Sequence, residues 1–144
     1  TNDEEAARLF VEGYALDALG QLKAAEERFR AGLALTGLGA GYEVLLQLEL
    51  AFNLAAQGQG PAATIAAERA RDLLPEHPLT WNLLARLYGR ASFLDLGGRA
   101  ASARERAAAL ANDRTALARV AAVLPADFAI QYLLAARGWA GGPR

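Results

Sequence analysis

The chain contains no cysteine and no methionine, one histidine, one lysine and two serines. Without Cys there is no disulfide, no thiolate metal site and no Cys nucleophile. The one histidine, His77, sits in Pro75-Glu76-His77-Pro78 and reads as a solvated loop residue. A zinc site would have to rest on carboxylates, and no closely spaced set of Asp and Glu resembles one. Neither Ser92 nor Ser102 stands in a Gly-x-Ser-x-Gly elbow. Asp and Glu are spaced as helix-surface charges, so neither catalysis nor a cofactor or metal is expected. β-branched residues are scarce and no segment alternates in polarity, which argues against strands. No apolar run approaches the ~18 residues of a membrane span; the richest stretch, residues 44–56, is interrupted by Gln47, Glu49 and Asn53. The absence of Met places the start inside a reading frame. A trimmed signal peptide or anchor would leave no trace, and the compartment stays open.

What remains is a 144-residue chain, 53% hydrophobic and 22% charged, with a net charge of −1. This composition suits a folded chain rather than a disordered one. One domain, 1–144, is expected, burying roughly two-thirds of its unfolded surface. The near-neutral total hides an asymmetry: residues 1–72 carry a net −5 and residues 73–144 a net +4. That is either ordinary solvated helix faces or an acidic end and a basic end able to steer partners. Positive charge is almost entirely Arg, as expected from a GC-rich coding bias.

Apolar residues recur at three and four, the spacing of helices. The first helix opens after Thr1-Asn2-Asp3, with Asp3, Glu4 and Glu5 favouring its N-terminus, and runs to about Leu19, where Gly20 turns the chain. Others are expected from Leu22 to Leu35, Glu43 to Gln57, Pro61 to Pro75, Leu79 onward, Arg99 to Ala111, Thr115 to Val123 and Asp127 to Arg137. Ala126-Asp127 reads as a helix cap. Residues 36–41, TGLGAG, form a linker; with no preceding strand and no following Lys-Ser/Thr they do not read as a phosphate loop. Residues 91–98 either prolong the fifth helix or form a loop, and the tail from Gly138 should fray.

The chain also repeats itself. Gly13, Gly20, Ala25, Phe29, Gly32 and Leu35 return 38 positions later as Ala51, Gly58, Ala63, Ala67, Ala70 and Leu73, followed by Pro75. Fixed-period self-similarity with helical spacing is the signature of a helical solenoid. Small residues at Gly13, Ala25 and Gly32 let helix axes approach, with Phe29 filling the space between. A third copy opens with Trp81, Leu84, Ala85 and Tyr88 but has no Gly at the turn position. The pattern of helix, Gly turn and helix with small residues at set places resembles the tetratricopeptide repeat, whose period is about 34 residues. The first copy lacks the closing Pro, and Ala67 replaces a usual large residue in the second.

The resemblance implies a bacterial tetratricopeptide-like protein: an all-α, right-handed superhelix of antiparallel hairpins. Its repeats would cover about 6–39, 44–77 and 78–113, with degenerate or capping helices at 114–138. It further implies a protein–protein interaction module or scaffold whose first helices line a concave groove. Carried over position by position, the partner-binding residues are Phe10, Tyr14 and Asp17, then Leu45, Leu48 and Phe52, then Asn82, Arg86 and Arg90. The last three lie at i, i+4 and i+8, on one helical face. Guanidinium forks bind carboxylates bidentately, so a peptide with apolar anchors and an acidic group or free carboxylate suits this stripe. Some relatives clamp a chaperone's C-terminal carboxylate with Lys and Asn on their first two groove helices. Here those positions hold Phe10, Tyr14, Leu48 and Phe52, which rejects that role.

The same stripe has a second reading. So large an apolar patch is unusual on a monomer. On this reading it is buried by the C-terminal helix, with Phe128, Ile130, Tyr132, Leu133 and Trp139, or by a homo-oligomer contact in a self-assembling scaffold. Nucleic acid is the weakest candidate: Arg99, Arg104, Arg106, Arg114 and Arg119 form a basic stretch, but Glu105 and Asp113 relieve it and no aromatics are interleaved.

Overall fold

The structure, a computed structural model, describes residues 2–91 and 98–137. Among them are eight helices and no strand. The helices are α1 (Asp3–Ala18), α2 (Leu22–Leu33), α3 (Ala40–Ala56), α4 (Gly60–Leu73), α5 (Pro78–Arg90), α6 (Arg99–Ala111), α7 (Arg114–Val123) and α8 (Phe128–Ala136). The expected all-α class holds, with boundaries mostly within two residues of the sequence reading. Residues 92–97 and the tail from Gly138, where a loop or helix extension and fraying were expected, lie outside the described residues, as do Trp139 and the Phe128 side chain. No helix among the described residues is long and apolar enough to cross a membrane. The chain divides into two compact units, residues 1–70 and 71–144, with the boundary inside α4.

In the first unit, the turns after α1 and α3 are built alike. Gly20 has φ +79° and Gly58 has φ +77°, the left-handed region open to glycine. The Gln21 N–H donates to Leu16 O and the Gly20 N–H to Asp17 O; 38 positions on, the Gln59 N–H donates to Leu54 O and the Gly58 N–H to Ala55 O. These paired bonds satisfy the carbonyls a helix end leaves orphaned. The sequence period is thus repeated atom for atom in the backbone.

Packing between these helices depends on missing side chains. A Cβ on Gly13 would stand 2.5 Å from Phe29 Cε1, and a Cβ on Gly32 would stand 2.8 Å from Leu46 Cδ1. Phe29 and Ala25 are fully buried, so α1, α2 and α3 close over them. Helix α3 starts at Ala40, three residues before the expected Glu43, and the N–H of its N-cap residue Gly39 donates to Asp3 Oδ1 at 2.9 Å. The Asp3 carboxylate thus serves a second helix besides its own. Gly41, expected in the linker, is buried inside α3.

The second unit begins with Pro78 at the first position of α5, where its missing N–H costs nothing. Leu83, Leu84, Leu87 and Tyr88 turn inward from α5, and Ala100, Ala103, Ala107 and Leu110 from α6. The small residues of α6 let the two helices pack closely. Asp127 caps α8 by accepting from the Ala129 N–H, as read from the sequence, and Asp113, which the sequence reading did not single out as a cap, caps α7 by accepting from the Ala116 N–H. The Arg119 guanidinium grips both oxygens of Glu76, tying α7 to the segment ahead of α5. The Arg99 guanidinium lies 4.6 Å from the Tyr88 ring centroid.

Candidate protein-interaction surfaces

The polar end of the predicted stripe is held on α5. With Leu83, Leu84 and Leu87 directed into the core, Asn82, Arg86 and Arg90 fall on the opposite face and are exposed. Asn82 and Arg86 line an open pocket of about 370 Å³ together with Leu79, Ala85 and Arg104 of α6. Arg90, one turn further on, is not among the lining residues. Arg104 was absent from the predicted stripe. It entered the sequence reading only as part of a basic stretch, because the register between α5 and α6 is a tertiary relation that no spacing along the chain reveals. Two guanidiniums and a carboxamide over a small apolar floor make a donor-rich surface that suits a carboxylate.

The apolar end of the stripe needs correction. Phe10 is 0% exposed and Leu45 and Leu48 are each 1% exposed, so these three are core side chains rather than anchors on an open surface. Every residue from Val44 to Ala51 is buried. A helix that is apolar around most of its circumference is an enclosed helix, and the run Val44-Leu45-Leu46-Gln47-Leu48 carries that signal. Tyr14 and Phe52 stay half-buried. The Tyr14 ring is tilted against Phe10, centroids 6.2 Å apart.

Asp17 is also engaged within the fold. Asn53 Nδ2 donates to Asp17 Oδ1 at 2.7 Å and to Leu22 O at 2.8 Å, joining α1, α3 and the start of α2. Gln57 Nε2 donates to Asn53 Oδ1 at 2.7 Å and to Glu26 Oε1 at 3.0 Å. Arg30 Nε donates to Glu26 Oε2 at 2.7 Å. The Arg30 guanidinium first, then the Gln57 amide, holds the Glu26 carboxyl down at about 2, overcoming the opposing effect of burial. This chain of side chains is a fastening across three helices that no spacing in the sequence announced.

His77 is the other correction. It is fully buried at the N-terminus of α5, not solvated, and burial pushes its imidazole down to about 4. The flanking Pro75 and Pro78 leave the segment few conformations, and Trp81 Nε1 donates back to Pro75 O at 2.7 Å. No group of three His, Cys, Asp or Glu among the described residues could hold a metal ion.

A second open surface lies in the first unit, between α2, α3 and α4, with a volume of about 540 Å³. Its floor is Leu33, Leu50 and Leu54, its rim Ile65, Arg69 and Glu43. No protein-family model and no curated protein matches this chain.

Proposed function

We propose that the chain is a non-catalytic protein–protein interaction module or scaffold, built as a right-handed, tetratricopeptide-like superhelix of about three antiparallel hairpins with capping helices. The repeated turn geometry at Gly20 and Gly58 supports this architecture. The pocket of Asn82, Arg86 and Arg104 carries the functional reading. It takes a carboxylate of the partner, from an acidic side chain or a free C-terminus, and the half-buried Tyr14 and Phe52 remain the aromatic candidates of the original stripe. Two guanidiniums orient a carboxylate by bidentate bonds, which gives specificity without chemistry on the ligand.

The runner-up is a self-assembling scaffold whose apolar stripe is closed by the chain itself or by another copy. One observation favours its intramolecular half: a single chain already buries Phe10, Leu45 and Leu48. Affinity capture from lysate of the source cells, with wild type against a folded Arg86→Glu/Arg104→Glu variant, tests the main reading. Partners held by wild type and lost by the variant support it; an unchanged set of partners contradicts it. A molar mass that rises with concentration favours self-assembly.

A further inference from the structure

We draw no further inference here: the strongest candidate, the uncharged outer face of α8 formed by the exposed Ala129, Tyr132 and Ala136, carries nothing because nothing in the structure shows what covers it.

Discussion

Gly13 lies directly beneath the ring of Phe29: a Cβ added there would meet three of its ring carbons between 2.5 and 2.9 Å. Both residues are buried, on facing helices of the first unit. Gly13→Ala is therefore expected to destabilise. Overpacking costs about 1–3 kcal/mol, which exceeds the ~1 kcal/mol that alanine gains over glycine in helix propensity. Gly89 in α5 is the control: its added Cβ would meet only Ala100 Cβ, at 4.0 Å. Gly89→Ala should leave stability unchanged or raise it by up to ~1 kcal/mol. Urea unfolding followed by circular dichroism reads both.

The paired turns make equal demands on Gly20 and Gly58. Alanine at either must adopt a left-handed φ at a cost of about 1–2 kcal/mol, with no steric contribution, since nothing lies within 4 Å of either added Cβ. The two single variants should lose similar stability in the same unfolding assay. A large difference would show that the two turns are not equivalent.

Acid should destabilise the chain in two successive windows. His77 is buried and its folded-state pKa is near 4, below the ordinary 6.5. The unfolded chain then binds the extra proton as pH falls from 6.5 towards 4, and stability drops over that range. Glu26 has a folded-state pKa near 2 against an ordinary 4.5. Its contribution is complete above about 4.5 and is lost as pH falls towards 2. Denaturant midpoints measured from pH 2 to 8 should flatten in the upper window for His77→Gln and in the lower window for Glu26→Gln.

The Asn53 amide is the centre of the fastening between α1, α2 and α3. Asn53→Ala removes the donor to Asp17 and Leu22 O and the acceptor for Gln57 at once. A loss of about 1–3 kcal/mol is expected in urea unfolding. Asn53→Leu should be no better, because it too removes the bonds to Asp17, Leu22 O and Gln57.

Much of the fold is legible in the residues themselves. The 38-residue period, the glycines at the turns, Pro78 and Asp127 mark helices and their ends through local chemistry, which acts within one or two turns of chain. Phe29 against Gly13 follows from the same logic, since a small residue opposite a large one is a packing relation a repeat exposes. The site was legible only in part. Asn82 and Arg86 share a face by helical geometry alone, whereas Arg104 joins them through the α5–α6 register, a tertiary quantity. Phe10, Leu45 and Leu48 were misread because a groove face and a core face have the same apolar pattern. Only the enclosure of α3 separates them. His77 was misread because two neighbouring prolines suggest a loop without saying whether it is covered.

The measurement that bears most directly on the account is quantitative affinity capture from source-cell lysate, comparing wild type with folded Arg86→Glu/Arg104→Glu at two salt concentrations. The account predicts a discrete set of proteins held by wild type and lost by the variant, sharing an acidic segment or an acidic C-terminus. The same proteins captured equally by both baits would contradict it.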